Sequence, residues 1–370
     1  MSDIPFALKY RPKKLSEVIG QPVVVKAVGN AFKSDTLHHA YLLSGKFGAG
    51  KTSVARIMAA MSNCEKSKFD PCGECDNCKA IFNGNHMDVK ELDAASNRGI
   101  DDIRDLRRRL SQSPIQGKEK YVILDECHSL TGQAAEAALK LIEEPPKRTR
   151  FILCTTDPHK LIDTIHSRCI SFAFNKVGWI ELFKHLKYIA KEENLDCEEN
   201  ALKACARNAQ YSVRNALQNL QAVVNYVAKE KITEEAAKEV LGEIGQKIYF
   251  VMMDGIARLN APKAMKAVNI MFSGGKNSQN VINGLSEHLD NLLKVDMCHD
   301  VINEVTELTD DELAKYKYQL QTLGEHANIL LIKFIDLLAK VNAGIELNLD
   351  PQMMLDRFIA ESVLYRKAKL

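Results

Sequence analysis

A glycine-rich segment near the start of the chain has the spacing of a phosphate-binding loop. Residues 45–52 read GKFGAGKT and fit the pattern GxxxxGK[ST], between a strand-like run and a helix-like run. Glycines let backbone N–H groups curl around phosphate oxygens, and the N-terminus of the helix adds partial positive charge. Lys51 is expected to reach the β- and γ-phosphates of a nucleotide, and Thr52 to ligate magnesium. The predicted phosphate-binding residues are Gly45, Gly48, Gly50, Lys51, Thr52 and Ser53.

A second segment, YVILDE at 121–126, is an apolar strand that ends in two carboxylates. This arrangement is expected where the edge of a sheet meets a nucleotide-bound metal. Asp125 suits the magnesium shell, and Glu126 suits polarisation of the attacking water. Two acidic residues after a strand often form only a solvated turn. The upstream phosphate loop favours the metal-and-water interpretation.

Four of the ten cysteines lie close together, in the pattern C-x7-C-x2-C-x2-C. Two overlapping CxxC steps bring thiolates within reach of one metal ion, and zinc is the expected ion. With four sulfur ligands such a site has no open position, so it predicts a structural module and not a catalytic one. A thioredoxin-like redox role is the alternative, and it does not fit four cysteines at these spacings. The predicted ligands are Cys64, Cys72, Cys75 and Cys78.

The elements that must position these residues follow an alternating pattern. In the first half of the chain, apolar β-type runs alternate with helical segments, which predicts a parallel sheet covered by helices. After about Val177 the periodicity becomes helical, and Gly242 and Gly245 precede a further all-helical region. The predicted strands are Tyr41–Ser44, Val89–Leu92, Tyr121–Asp125, Phe151–Thr155 and Ile170–Phe174, and the predicted domains are 1–177 with a zinc insertion at about 62–86, 178–242 and 243–370.

Composition excludes some functional classes. The formal net charge is +2, so binding to nucleic acid through bulk charge is not expected. No apolar run approaches the roughly 20 residues of a membrane span, and the first residues lack the apolar core of a secretory signal. We therefore expect a cytoplasmic protein that contacts no membrane.

The order of phosphate loop, Asp-Glu strand end and later polar strand end resembles an AAA+ ATPase. Within that class the chain is similar to the gamma/tau motor subunits of the clamp loader of bacterial DNA polymerase III, most specifically at Ser167-Arg168-Cys169. The similarity is dense from about Ala7 to Gly242, and beyond that only residues 350–355, DPQMML, carry it. The resemblance implies an α/β AAA+ P-loop domain with an inserted zinc module, a small helical lid and an all-α C-terminal collar.

The resemblance also assigns roles to individual residues. Thr156, with Thr155 as the second choice, would sense the γ-phosphate, and Arg168 would reach as a finger into the site of a neighbouring subunit. The alternative for Arg168 is an ordinary surface arginine in an ion pair. Arg214 would contact the γ-phosphate from the lid, although Asn215 stands where the family usually has Asp. The implied adenine-side residues are Tyr10, Arg11, Pro12, Val18 and Ile19.

Partners and cofactors follow from the same resemblance. ATP, Mg2+ and Zn2+ are the implied cofactors, and the partners are a sliding clamp, other clamp-loader subunits in a heteropentamer-like ring, and primer-template DNA recognised by backbone shape. Arg98 and Lys140 are the implied DNA contacts. For the run Arg107–Arg109 a solvated helix face is an equally good interpretation.

Two other functions compete with the clamp-loader ATPase. Another AAA+ DNA motor, such as a branch-migration helicase motor, would have the same phosphate loop, but the zinc insertion and the Ser-Arg-Cys motif disfavour it. A structural clamp-loader subunit or a zinc-dependent DNA-binding module that binds nucleotide without turnover is disfavoured by Lys51, Thr52, Asp125 and Glu126, which are all present.

Overall fold

A computed structural model describes residues 4–67, 69–96, 99–228, 230–242, 246–273, 278–298, 302–306, 308 and 310–368. The chain separates into two compact units, Met1–Ala237 and Lys238–Leu370. The finer domain boundaries predicted after residues 177 and 242 stay predictions.

The first unit contains a five-stranded parallel sheet in the order β2-β3-β4-β1-β5. All five predicted strands are confirmed, each extended by no more than two residues at an end. The three central strands are easy to locate from the sequence, because apolar runs of this length between helical segments are typical of buried parallel strands, whereas the two edge strands are partly exposed. The strands are β1 Ala40–Gly45, β2 Val89–Asp93, β3 Lys120–Asp125, β4 Thr149–Thr155 and β5 Ile170–Phe174.

Side chains that alternate along the central strands enter two different cores. Tyr41, Leu43 and Ile123 pack into one, and Leu42 and Val122 into the other, so the sheet is covered on both faces. The helices of this part of the chain are α1 Phe6–Lys9, α2 Pro22–Lys33, α3 Lys51–Asn63, α4 Asp76–Asn83, α5 Ile100–Leu110, α6 Gly132–Glu143, α7 Asp163–His166, α8 Trp179–Glu192, α9 Glu199–Arg207, α10 Val213–Val227 and α11 Glu234–Val240. Short 3-10 turns cover Leu15–Glu17, Cys127–Ser129 and Pro158–Lys160.

The second unit is helical throughout its described residues. Its helices are α12 Gln246–Ala257, α13 Ala261–Ser273, α14 Ser278–Met297, α15 Ile302–Val305, α16 Asp310–Leu323, α17 Ala327–Glu346 and α18 Pro351–Lys367. Helix α14 buries one apolar stripe: Ile282, Leu285, Leu289 and Leu292 are buried, and Leu293 packs against the same core.

Residues 350–355, the only C-terminal segment that carried the family resemblance, form the start of α18. The carboxylate of Asp350 caps the helix by accepting the Met353 N–H at 2.7 Å, and Pro351 occupies the first helical position. Within the described residues, no helix has the length and apolarity that crossing a membrane requires.

Candidate nucleotide site and cysteine cluster

The phosphate loop depends on three glycines with left-handed or otherwise positive φ angles. Gly45, Gly48 and Gly50 have φ values of 145°, 74° and 100°. A Cβ at Gly45 would lie 2.7 Å from the Phe174 carbonyl oxygen of the adjacent strand, and one at Gly48 would lie 2.1 Å from Ser212 Oγ. Both glycines are therefore required by backbone conformation and by close approach. The loop leads directly into α3 at Lys51, so the helix N-terminus faces the loop.

Lys51 is buried at the base of the loop, with 5% of its surface exposed. Its Nζ donates to the carbonyl oxygens of Gly45 at 2.8 Å and Lys46 at 3.2 Å. Burial lowers the pKa of Lys51, and the nearby Glu126 and Asp125 oppose that shift. Carbonyl oxygens do not neutralise the ammonium charge, so an anion such as a phosphate group fits this position.

The carboxyl end of β3 meets the first turn of α3. Thr52 Oγ1 donates a hydrogen bond of 2.8 Å to Asp125 Oδ2. A hydroxyl and a carboxylate oxygen side by side are ligands that Mg2+ prefers, beside water and phosphate oxygens. The geometry fits a magnesium ion that would be held by Thr52 and Asp125.

Glu126 is fixed by the neighbouring strand end. Its Oε2 accepts hydrogen bonds from Thr156 Oγ1 at 2.8 Å and from the Thr156 N–H at 3.2 Å, and His128 Nδ1 lies 3.4 Å from the same oxygen. The buried hydroxyl of Thr155 instead contacts His128 Nδ1 and the Asp157 N–H, both at 3.0 Å. Thr156, the first choice from the sequence, is thus the threonine in contact with the candidate base, and its role as a sensor of the γ-phosphate stays a prediction.

The beginning of α10 closes the cleft opposite the phosphate loop. Ser212 caps this helix by accepting the Asn215 N–H at 3.3 Å, a contact that uses the Asn215 backbone and not its side chain. The Arg214 guanidinium lies 4.8 Å from the centroid of the Phe47 ring, and both residues line the cleft. Arg214 is therefore next to the phosphate loop, as its predicted role requires.

The two N-terminal segments line the other end of the cleft. Arg11 Nε donates to Ser53 Oγ at 3.1 Å, and burial lowers the pKa of Arg11 to about 10. Tyr10 donates its hydroxyl hydrogen to Glu193 Oε1 at 2.5 Å, at the end of α8. The adenine-side residues predicted from the sequence, all of which line the cleft, are Tyr10, Arg11, Pro12, Val18 and Ile19.

These elements form one cleft with about 830 Å³ of empty space, including its open mouth. Sequence reasoning missed part of its lining. His185 comes from α8, where the helical periodicity carries no motif that marks a contact with ligand. The lining residues missed from the sequence are Ala7, Glu17, Phe47, Ala49, His185, Val213 and Leu217.

Arg168 does not line this cleft. Its Nη2 lies 2.6 Å from Glu143 Oε1, and its Nη1 donates to the Thr164 carbonyl oxygen at 2.9 Å. The ion pair agrees with the alternative interpretation, in which Arg168 is an ordinary surface arginine. The position outside the cleft also agrees with a finger, because a finger acts on the site of another subunit. The role of Arg168 stays a prediction.

Only one of the two predicted DNA contacts, Lys140, belongs to the described residues. Lys140 is exposed on α6, whereas Arg98 lies outside the described residues. On α5, Arg104 pairs with Asp101 at 3.1 Å and Arg108 pairs with Asp105. These pairs support a solvated face for part of that helix.

The four predicted cysteine ligands come together. Their Sγ atoms all lie within 4.8 Å of one another, and those of Cys72 and Cys78 are 3.9 Å apart. A tetrahedral site with Zn–S bonds of about 2.3 Å would place the sulfurs about 3.8 Å apart. Backbone N–H groups of Cys75 and Glu74 lower the pKa of Cys72 to about 6. The cluster therefore fits one tetrahedral metal ion.

A buried polar network that the sequence did not reveal attaches the cysteine module to the sheet. Asn77, on α4, donates to the Asn63 carbonyl oxygen at 3.0 Å and lies 3.2 Å from the His86 ring nitrogen. Asn63 Oδ1 accepts N–H groups of Lys118 at 2.7 Å and Glu119 at 3.0 Å. Such contacts join segments far apart in sequence and have no local signal.

Comparison with known proteins places these features in a family. Residues 20–178 match the family model described as DNA polymerase III, delta subunit. The chain is 40% identical over 243 residues to DNA polymerase III subunit tau/gamma of Haemophilus influenzae, a match that covers 65% of this chain and 35% of that protein. It is 36% identical over 270 residues to DNA polymerase III subunit gamma of Buchnera aphidicola from Acyrthosiphon pisum, covering 73% of this chain and 74% of the relative.

The chain also matches a solved structure, the Thermotoga maritima RuvB Holliday junction branch migration motor. It is 18% identical with a TM-score of 0.49, and the match covers 85% of this chain and 91% of that one.

The parallel sheet, the glycine loop entering α3 and the Asp-Glu strand end define a nucleotide-binding protein of the AAA+ P-loop class. Within that class, the chain belongs to the DNA polymerase III gamma/tau family. It matches only about a third of the length of the Haemophilus relative.

Proposed function

We propose that the chain is an ATPase subunit of a clamp loader, which uses ATP to open a ring-shaped sliding clamp and load it onto primer-template DNA. The observation that carries this proposal is the cleft, in which Lys51, Thr52, Asp125, Glu126 and Arg214 converge from three distant regions of the sequence. Family membership and the motif resemblance support clamp loading as the use of that ATPase activity.

ATP would bind with its base and its phosphates at opposite ends of the cleft. The adenine ring would lie against the backbone and apolar groups of residues 10–12 and 18–19. The loop N–H groups and Lys51 would surround the phosphates, and Arg214 would contact the γ-phosphate from the lid. The Arg214 guanidinium lies 4.8 Å from the centroid of the Phe47 ring, beside the phosphate loop, which supports this contact.

Hydrolysis needs a base, a metal and charge stabilisation. Glu126, held by Thr156, would polarise the water that attacks the γ-phosphorus. Magnesium, held by Thr52 and Asp125, would neutralise charge on the β- and γ-phosphate oxygens. Arg168 of an adjoining subunit would stabilise the charge that develops on the transferred group, which is worth about 10³–10⁵ in rate in comparable switches.

The cysteine module would hold one zinc ion with a structural role. Four sulfur ligands leave no position for a substrate, so the ion would stabilise the segment between α3 and β2. Backbone N–H groups directed at the sulfurs of Cys64, Cys72 and Cys75 support a thiolate cluster.

Assembly with partner proteins and DNA would complete the site of hydrolysis and couple it to clamp loading. The partners would be other clamp-loader subunits in a five-membered ring, the clamp, and DNA whose backbone is contacted by Lys140 and Arg98. ATP binding would favour the assembled state, and hydrolysis triggered by primed DNA would release the closed clamp.

The decisive experiment is the ATPase rate of the assembled protein with and without a ring clamp and primed DNA. A clamp-loader ATPase is expected to be stimulated jointly by both. A branch-migration motor would respond to branched DNA and ignore the clamp. A structural subunit would bind ATP without turnover in every condition.

A further inference from the structure

The guanidinium of Arg168 is held by three contacts, and only one comes from outside its own segment. Nη1 donates to the Thr164 carbonyl oxygen at 2.9 Å and to Ser167 Oγ at 3.1 Å, both within or next to α7. Nη2 lies 2.6 Å from Oε1 of Glu143, the last residue of α6. Among the contacts of the described residues, Glu143 alone ties this side chain to another element.

Helix α6 is a firm support for that carboxylate. Ala134, Ala138, Leu141 and Ile142 bury one face of the helix in the core on one side of the sheet. Helix α7, by contrast, has four residues, of which only Ile165 is buried. Arg168 follows this helix by two residues. Its long side chain has many rotamers, and a contact with a fixed carboxylate restricts them.

The pair leaves the guanidinium able to bind a second anion. Arginine carries five N–H donors, and the three recorded contacts use three of them. Two donors remain for phosphate oxygens while the contact with Glu143 persists. The ion pair is partly exposed, with 35% of the Arg168 and 42% of the Glu143 side chain accessible, so its contribution to stability is small.

We infer that Glu143 is a positioning residue for Arg168. It orients the guanidinium towards the nucleotide of an adjoining protomer and does not itself touch that nucleotide. This inference rests on the proposed action of Arg168 in another subunit.

The first test compares single variants of the full chain in the assembled state. Glu143→Ala is expected to lower kcat for ATP about tenfold, because small misplacements of a reacting group cost rate and not ground-state binding. KM for ATP, ATP affinity and melting temperature should stay unchanged. Glu143→Gln keeps an oxygen acceptor and should recover most of the rate. The matched control is Glu144→Ala, the adjacent exposed glutamate, which should behave as wild type.

The second test asks whether Glu143 acts across subunits. Glu143→Ala chains mixed with Lys51→Ala chains create sites with an intact phosphate loop facing an intact Arg168 and Glu143 pair. Mixing should therefore restore turnover that neither assembly shows alone, as it should for Arg168→Ala with Lys51→Ala. Glu126→Gln and Lys51→Ala both damage the site of their own chain. Mixing these two variants should therefore give no more turnover than the sum of the two separate assemblies.

The outcomes separate the inference from the function beneath it. If Arg168→Ala retains wild-type turnover, the proposed finger itself is wrong. If Arg168→Ala is slow while Glu143→Ala matches Glu144→Ala, Glu143 does not position it and the proposed function stands. Failure of the mixture to restore turnover, or a loss of ATP affinity or melting temperature in Glu143→Ala, would show a role within its own chain and overturn the inference.

Discussion

Thr156 donates two hydrogen bonds to one carboxylate oxygen of Glu126, from its hydroxyl at 2.8 Å and from its backbone N–H at 3.2 Å. Glu126 lies directly after β3 with a left-handed φ of 48°, and Thr156 lies directly after the adjacent β4. Neighbouring strand ends thus fix the proposed base. Its direction is set by the sheet and not by the flexible side chain.

The Thr156 hydroxyl is expected to contribute to turnover. Thr156→Val removes the shorter bond and keeps the side-chain shape and the backbone N–H. Since a positioned base supplies about 10²–10⁴ in rate, partial loss of its orientation is expected to lower kcat about tenfold. Steady-state kinetics with ATP binding measured in parallel would check this.

Thr155→Val is the matched control for that variant. It removes a hydroxyl that contacts His128 and the Asp157 N–H, and no recorded bond joins it to Glu126. A larger loss of kcat in Thr155→Val than in Thr156→Val would contradict the choice of Thr156 for the sensing role.

Two glycines with nearly the same φ angle allow the effect of backbone strain to be distinguished from the effect of a close contact. Gly48 and Gly73 have φ of 74° and 75°, but a Cβ at Gly48 would lie 2.1 Å from Ser212 Oγ, and one at Gly73 would meet nothing within 4 Å. Each change to Ala costs about 1–2 kcal/mol of backbone strain. Only Gly48→Ala should also weaken ATP binding, because it displaces the start of α10. Equal ATP affinities, measured by calorimetry, would contradict the close contact.

The cysteine cluster should hold one zinc ion per chain. Cys75→Ser is expected to lose it and to melt at a lower temperature, since metal binding is coupled to the folding of such modules. Cys197→Ser, outside the cluster and half-buried, should keep the full zinc content. Metal analysis of both variants and of chelator-treated protein checks this. A folded, metal-free wild-type protein with an unchanged melting temperature would exclude a structural zinc site.

His288 predicts an acid sensitivity of the second unit. Burial lowers its pKa to about 4, with Nε2 at 2.7 Å from Gln319 Oε1. The folded state therefore prefers the neutral ring, so stability present above pH ~6.5 falls as the pH drops towards 4. The loss between about pH 7.5 and about pH 5 is about 2 kcal/mol. His288→Gln should lose less stability over this range in thermal unfolding, and an identical pH dependence would contradict the assignment.

Local sequence signals predicted the sheet and the phosphate loop because both depend on short-range patterns. The strands β1, β3, β4 and β5 each contain an apolar run, whereas β2 reads VKELD and lies at the edge of the sheet. Gly45 to Thr52 form one loop whose glycines need positive φ. The cysteine cluster could be predicted in the same way, since the spacing of the four residues brings their sulfurs near one another.

Contacts between distant segments could not be predicted in this way. Ser212 approaches Gly48, and Glu143 pairs with Arg168, only after the sheet and helices have packed. The family resemblance implied roles for Arg214 and Arg168, but it did not indicate which residues of this chain contact their side chains. Their partners depend on tertiary packing, which periodicity does not encode.

The most direct test of the central claim is to measure ATP affinity and turnover of Glu126→Gln in the assembled protein. The account predicts wild-type ATP affinity and a kcat lower by about a hundredfold or more, since the variant loses the base but keeps the cleft. Turnover at the wild-type rate would contradict the assignment of this cleft as the site of hydrolysis.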